Sequence, residues 1–209
     1  MRLKNISKIA MLLAMLIIAP IKGLSATTAA DIMKRASDNL KAAKGVNCKF
    51  TLSSDQGKMA GTLKASGAKF TLSSPASSTW YNGKNLWTYN AATKETTIVT
   101  PTASELRECN PLEYIKGYYS AFTPSFSKSK RTGKYTITLS PKKKSNEVKT
   151  LDVTLNAKTL KPEIISIVLK SGYKSVITIN SIEYNSTFKT SDFEYQKSKF
   201  PKAQIVDLR

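Results

Sequence analysis

Residues 80–90, with the sequence WYNGKNLWTYN, give the clearest indication of the fold. Bulky aromatic residues flank an Asn82-Gly83 pair, and Asn-Gly is typical of the tight two-residue turns that join antiparallel strands. We therefore predict a β-hairpin with strands over residues 79–81 and 86–89. The same antiparallel pattern, with short turns between strands, repeats through most of the remaining chain.

Strands with a period of two lie on both sides of this hairpin. In the first of them Val46, Cys48, Phe50 and Leu52 alternate with polar residues, which is typical of a half-buried strand. Further strands are predicted at 59–65, 69–73, 95–100, 135–140, 148–156, 162–170, 174–185 and 192–195. The sequence thus predicts ten or eleven antiparallel strands.

Two segments with helical spacing are inserted among the strands. The first begins at a Thr28 cap, has Asp31 three residues later, and ends at Gly45. In the second, Asn110 can act as the cap and Pro111 can occupy the first helical position. Both segments carry apolar side chains at helical spacing, so each could cover part of a sheet.

The number of strands limits the possible architectures. A sheet of about ten strands must curl, and a barrel wider than about eight strands leaves interior space that its own side chains do not fill. A sandwich with a packed core has the same period of two, so the periodicity leaves barrel and sandwich equally open. Residues 27–209 contain no long linker and no internal repeat, which predicts one domain.

Residues 1–26 have the features of a signal peptide. Basic residues at positions 2, 4 and 8 precede an apolar run over 9–19, and the small residues at 23–26 suit a signal peptidase. The run is shorter than the roughly 20 apolar residues that cross a bilayer. Since no cysteine lies near the cleavage site, the acylation site of a bacterial lipoprotein is missing. We expect export, cleavage of residues 1–26 and a mature protein that diffuses freely.

The chain is strongly basic. It has 33 Lys and Arg against 14 Asp and Glu, and loss of residues 1–26 removes four basic residues and no acid, which leaves a net charge of +15. This excess favours encounters with anions. The lysines cluster at turns, as in 128–131 and 142–144, without the interleaved aromatic residues that stack on bases. We expect attraction to anionic envelope surfaces and no nucleic-acid partner.

The sequence contains few of the residue combinations that enzymes use for catalysis. The chain has no histidine, which excludes Ser-His and Cys-His nucleophile pairs and imidazole metal ligands. Two cysteines cannot form a structural zinc site alone. In an exported chain Cys48 and Cys109 could form a disulfide or remain two buried thiols, and the sequence favours neither. We predict no catalytic residue, no metal and no cofactor, and therefore a protein that is not an enzyme.

Several segments resemble the periplasmic outer-membrane lipoprotein carrier family (LolA-type). Residues 80–90 resemble the family's central hairpin, which reads as Asp or Asn, Gly-Lys, then Leu-Trp-x-Tyr-Asn/Asp. Residues 61–64 (Gly-Thr-Leu-Lys) are similar to its second strand and 110–112 (Asn-Pro-Leu) to the start of its middle helix. Residues 193–195 with 205–207 are similar to its closing segment. These matches occur in the family's order over nearly the whole mature chain.

The resemblance implies an unclosed antiparallel β-barrel of about 11 strands, with helices covering the opening. Its apolar cavity would receive the acyl chains of lipoproteins from an inner-membrane ABC transporter and deliver them to an outer-membrane acceptor. The acceptor of this fold is lipid-anchored, and this chain lacks the anchor cysteine, which favours the carrier role. We expect a monomer in the periplasm. Two alternatives stay open: an envelope module of the same fold that binds or senses another lipid, and an interaction protein with a solid barrel.

One family feature is missing from the sequence. Many members carry an Arg-Pro pair after the second strand, where the arginine helps to hold the helical lid, and this chain has Ser66-Gly67-Ala68 there. Lid control by that arginine is therefore not expected here.

The candidate ligand contacts are bulky apolar side chains on strands and on the middle helix. Shielding one acyl chain recovers on the order of 10 kcal/mol and needs roughly 400 Å² of apolar lining. Dry core packing is the alternative for each candidate. The candidates are Phe50, Leu63, Phe70, Trp80, Trp87, Leu112 and Ile115.

Overall fold

The structure, a computed structural model, describes residues 27–129 and 131–209, so the predicted signal peptide lies outside the described residues. Twelve β-strands occur in these two ranges. Their bounds are β1 (Val46–Ser54), β2 (Gly57–Ser66), β3 (Lys69–Ser73), β4 (Ser77–Tyr81), β5 (Leu86–Asn90), β6 (Glu95–Val99), β7 (Phe122–Phe126), β8 (Lys134–Pro141), β9 (Val148–Asn156), β10 (Pro162–Leu169), β11 (Lys174–Tyr184) and β12 (Gln204–Asp207).

All twelve strands belong to one sheet, in the order β12-β6-β5-β4-β3-β2-β1-β11-β10-β9-β8-β7. Neighbouring strands are antiparallel except β12, which runs parallel to β6. The edge strands β12 and β7 do not pair with each other, so the sheet stays open. This confirms the predicted mainly β fold with an unclosed sheet.

Three details of the strand prediction were wrong. The sheet has twelve strands instead of ten or eleven, because β7 was missed; Pro124 weakens its pattern, and proline is tolerated at a sheet edge. Residues 192–195 form no strand, since a 3₁₀ helix spans Thr190–Phe193. The closing strand is β12 instead, and it is parallel to its neighbour.

The central hairpin has the predicted pairing but a longer turn. Trp80 lies opposite Trp87, and Tyr81 lies opposite Leu86. The loop between them has four residues, because Asn82 Oδ1 accepts hydrogen bonds from the backbone N–H groups of Lys84 and Asn85, both at 3.0 Å. Gly83 has φ 99°, which few other residues adopt.

Four α-helices occur in the described ranges. Their bounds are α1 (Ala29–Ala42), α2 (Ala103–Cys109), α3 (Glu113–Lys116) and α4 (Tyr118–Ala121). Helix α1 begins as predicted, with a reciprocal capping box between Thr28 and Asp31. The predicted middle helix, which starts at Asn110 and Pro111, is instead the two short helices α3 and α4, interrupted at Gly117. Helix α2, which precedes Asn110, was not predicted.

The hydrophobic core lies between one face of the sheet, here called the inner face, and the helices. Helix α1 contributes Ile32, Met33 and Leu40, all almost fully buried, and it contacts α3 and β7. From the sheet the core takes alternate residues of β1, β2, β8 and β9. In residues 27–129 and 131–209, no helix has the length and hydropathy needed to cross a bilayer.

Candidate ligand-binding site

A cavity of about 850 Å³ lies between the inner face of the sheet and the short helices. This volume falls within the range of about 300–1,000 Å³ that small-molecule sites occupy. Most of the lining is apolar. The apolar lining residues are Phe50, Leu52, Met59, Leu72, Pro111, Tyr114, Ala121, Phe122, Val148, Ile167, Leu169 and Ile177.

The register of the strands shows where the cavity opens. Ser54, at the end of β1, pairs with Ser175 at the start of β11, and two residues deeper Leu52 pairs with Ile177. The β1–β2, β8–β9 and β10–β11 connections therefore lie at the same end of the sheet. Polar residues of the latter two connections, in 143–147 and 171–173, line the cavity at this end. The site is apolar inside and polar at one end.

Helix α3 is held in place by hydrogen bonds to its surroundings. Ser37 Oγ on α1 donates to the carbonyl oxygen of Lys116 at 2.9 Å. Asn110 Oδ1 accepts from the Leu112 backbone N–H at 3.2 Å. The predicted cap at Asn110 was nevertheless wrong, because Asn110 ends α2 and α3 begins after Leu112 without a side-chain cap. Lys116 Nζ lies 3.1 Å from Glu113 Oε1 and 3.4 Å from the carbonyl oxygen of Gly67. A lysine from the helix thus reaches the turn where the family arginine is missing.

Phe50 is the one predicted contact that lines the cavity, and its ring depends on Gly61. The two residues pair across β1 and β2, and a Cβ atom at position 61 would lie 2.4 Å from Phe50 Cζ and 3.0 Å from the carbonyl oxygen of Ser73. Gly61 therefore lets the phenyl ring pack against the backbone of β2.

We predict that Gly61→Ala destabilises the protein by about 1–3 kcal/mol, because the added methyl group must displace the Phe50 ring toward the cavity. Chemical denaturation measures the free energy of unfolding of this variant and of the wild type. Ala60→Gly, a substitution at the neighbouring exposed position, is the control. An unchanged unfolding midpoint for Gly61→Ala would contradict the packing of this ring.

Four other predicted contacts lie in the core and do not line the cavity. Leu63, Phe70, Leu112 and Ile115 are each at most 1% exposed and pack with α1 and the inner face. A role of these side chains in ligand contact stays a prediction.

Trp80 and Trp87 lie on the outer face of the sheet, contrary to the expectation that they face the cavity. Their neighbours Tyr81 and Leu86 point into the core, and adjacent residues of a strand point to opposite faces. The chain between β11 and β12 crosses this outer face and covers Trp80 with Tyr195 and Phe200, at ring-centroid distances of 5.6 and 5.5 Å. These aromatic residues form a second, smaller apolar cluster.

Several lining residues were not predicted, although they share a sequence signal with the predicted contacts. Leu52 belongs to the same alternation as Phe50, and Ile167, Leu169 and Ile177 have inward positions on β10 and β11. Their period of two was visible in the sequence, but the face that each strand turns inward was not.

Cys48 and Cys109 are not joined by a disulfide in this structure. Cys48 is 1% exposed on β1, and Cys109 lines the cavity. Burial raises the pKa of the Cys48 thiol to about 12. Within the described ranges, no group of three or more Cys, Asp and Glu side chains is arranged to hold a metal ion.

The raised pKa of Cys48 predicts a pH dependence of stability. Between the ordinary thiol pKa of 9.0 and the folded value of about 12, the unfolded chain loses a proton that the folded chain keeps. Stability should therefore fall as pH rises above 9, by up to about 1.4 kcal/mol per pH unit. In Cys48→Ala the slope between pH 9 and 11 should be smaller, as followed by urea denaturation at each pH. Equal slopes for both proteins would contradict the assignment.

Comparison with known proteins gives the family. The family described as "Outer membrane lipoprotein carrier protein LolA" matches residues 24–173. None of the curated proteins matches the sequence significantly. An uncharacterized conserved protein of Thermus thermophilus has a similar structure, with a TM-score of 0.58, 11% identity, and coverage of 86% of this chain and 98% of that chain. A LolA superfamily protein of Nitrosomonas europaea aligns with a TM-score of 0.41 and 12% identity over 81% of this chain and 99% of that chain.

The structural likeness concerns the fold, whereas the sequence match covers well over half of the chain and agrees with the open sheet and its helical cover. The chain belongs to the LolA family of outer membrane lipoprotein carrier proteins.

Proposed function

We propose that this protein is a periplasmic carrier that holds the acyl chains of lipoproteins in its apolar cavity and transports them from the inner to the outer membrane. The observation that carries the proposal is the cavity of about 850 Å³ inside a LolA-type fold. The matched family is described as a carrier family, which supports the expectation that the chain is not an enzyme.

The physical need for such a cavity follows from the cargo. Each methylene group of an acyl chain that leaves water contributes about 0.8 kcal/mol, so a free acyl chain does not cross an aqueous compartment unshielded. Leu52, Leu72, Ile167 and Ile177 offer an apolar surface already formed between sheet and helices. Preformed binding surface reduces the ordering cost of binding.

The proposed pathway has two partners besides the cargo. An inner-membrane ABC transporter would supply the lipoprotein, and an outer-membrane acceptor would receive it. In this scheme residues 1–26 are removed on export, and residues 27–209 act as one monomeric domain. A second candidate function is an envelope module that binds or senses a lipid other than a lipoprotein, since an apolar cavity alone does not distinguish acyl donors.

Depletion of the protein from cells tests the carrier role. If it carries lipoproteins, acylated proteins that normally reach the outer membrane should accumulate in the inner membrane, as seen by density-gradient fractionation. Expression of the wild-type protein should restore their sorting. Normal sorting in depleted cells, together with phospholipid or fatty acid extracted from the purified protein, would favour the second candidate.

A further inference from the structure

We propose that the polar end of the cavity is a docking surface for acidic phospholipid headgroups, so that the cavity opens toward a membrane surface. This surface, here called the basic rim, consists of Lys41, Lys142, Lys143, Lys144 and Lys170 together with Tyr119. The inference rests on the proposed carrier function and adds to it a specific membrane contact and an orientation of the cavity.

The β8–β9 connection brings the lysines to the cavity. Lys143 itself is among the lining residues. The preceding residue, Lys142, makes two hydrogen bonds to α4. Its Nζ donates to the carbonyl oxygen of Tyr119 at 2.6 Å, and its backbone N–H donates to the carbonyl oxygen of Ala121 at 2.8 Å. Ala121 lines the cavity as well. The lysine run is therefore attached to helix α4 at the edge of the cavity.

The other side of the run is attached to the β10–β11 turn. Lys170 Nζ donates to the carbonyl oxygen of Lys144. The Lys170 backbone N–H donates to the carbonyl oxygen of Glu147 at 2.9 Å. The next residue, Ser171, lines the cavity. These contacts hold the ammonium groups of Lys142 and Lys170 at this end of the site.

Helix α1 and α4 complete the basic rim. Lys41 Nζ lies 4.8 Å from the centre of the Tyr119 ring, and Tyr119 is 59% exposed. Tyrosine is enriched where proteins meet the headgroup region of a membrane. An exposed tyrosine among lysines at the edge of an apolar cavity therefore fits a lipid surface better than bulk water.

The charge of this end complements acidic lipids. Residues 142–147 and 170–173 include four lysines and one carboxylate, that of Glu147. The neighbouring β1–β2 connection carries Asp55, with Lys58 three residues later. Each lysine held near an anionic membrane surface adds to its attraction, and the effect fades within about one Debye length. Lysines elsewhere on the protein should contribute little once the basic rim is in contact.

Vesicle binding by two charge-matched variants tests the inference. One variant carries Lys142→Gln, Lys143→Gln and Lys144→Gln, and its control carries Lys84→Gln, Lys158→Gln and Lys202→Gln at exposed positions in other connections. The acidic vesicles consist of phosphatidylcholine with about 30% phosphatidylglycerol, which supplies acidic headgroups. We expect the wild-type protein to sediment with these vesicles and to stay in solution with vesicles of pure phosphatidylcholine. The first variant should lose about a hundredfold in binding, while the control should remain close to the wild type.

Fluorescence quenching tests whether the cavity opening faces the membrane. In Tyr119→Trp, bromine carried on the acyl chains of acidic vesicles should quench the added tryptophan emission. The emission of Trp80, which Tyr195 and Phe200 cover, and of Trp87 on the outer face should change little. Equal losses in the two triple variants, equal binding to both vesicle types, or absence of the added quenching would overturn the inference. Because Lys142 bonds to Tyr119, Lys143→Gln alone is measured as a second variant, and it should weaken vesicle binding without altering thermal unfolding. Uptake of a fluorescent fatty acid, measured in parallel without vesicles, reports the cavity separately.

Discussion

Replacing Ile115 with alanine should lower the free energy of unfolding by about 2–5 kcal/mol. Ile115 is fully buried on α3 and belongs to the core, but it does not line the cavity. Its removal leaves a void that the surrounding side chains fill only in part, so both the transfer energy and the packing are lost. Denaturant titration followed by circular dichroism gives the difference.

Ile167→Ala is the matched control for this prediction, because it deletes the same atoms from a half-buried side chain that faces the cavity. It should cost less stability than Ile115→Ala, since its side chain already borders open space. If Ile115→Ala folded with normal stability and lost only its capacity for an acyl ligand, Ile115 would belong to the cavity wall instead of the core.

A carboxylate in the cavity wall should strongly weaken acyl binding. In Ile167→Asp the charged group would have to lose water when an acyl chain enters, and burial of an unpaired charge against an apolar ligand is strongly unfavourable. We expect the affinity for a fluorescent acyl probe to fall on the order of a hundredfold. Fluorescence titration of the purified protein measures it.

Val168→Asp is the control for the acyl-binding measurement. Val168 is the next residue on β10, lies between the two lining residues Ile167 and Leu169, and therefore points to the outer face. The variant has the same added charge, and its probe affinity should stay near that of the wild type. A similar loss in both variants would mean that the charge acts through the fold and that Ile167 is not a ligand contact.

The local structure of the helical and strand segments could be predicted from the sequence. The capping box of Thr28 and Asp31 defines the start of α1, and the alternation through Phe50 and Leu52 defines β1. Both signals are local, since they depend on residues a few positions apart. The family resemblance then selected the open sheet over the sandwich, which periodicity alone left undecided.

The assignment of side chains to core, cavity or outer face could not be predicted in the same way. Trp80 and Tyr81 are adjacent and both bulky, so the pattern does not say which of them points inward. The answer depends on Tyr195 and Phe200, more than a hundred residues later, which cover Trp80 from outside. Likewise, Leu63 and Leu72 pair across β2 and β3, yet Leu63 is core and Leu72 lines the cavity. The difference arises from where the helices lie over the sheet.

Photo-crosslinking from within the cavity tests whether the protein holds the acyl chains of lipoproteins. A diazirine amino acid is placed at Ile167 or, as control, at Val168 in the protein expressed in cells, and the crosslinked species are identified by mass spectrometry after irradiation. If the cavity holds the acyl chains of lipoproteins, acylated lipoproteins should be captured from position 167 and not from position 168. Capture of no acylated species at 167, or equal capture at both positions, would contradict the account.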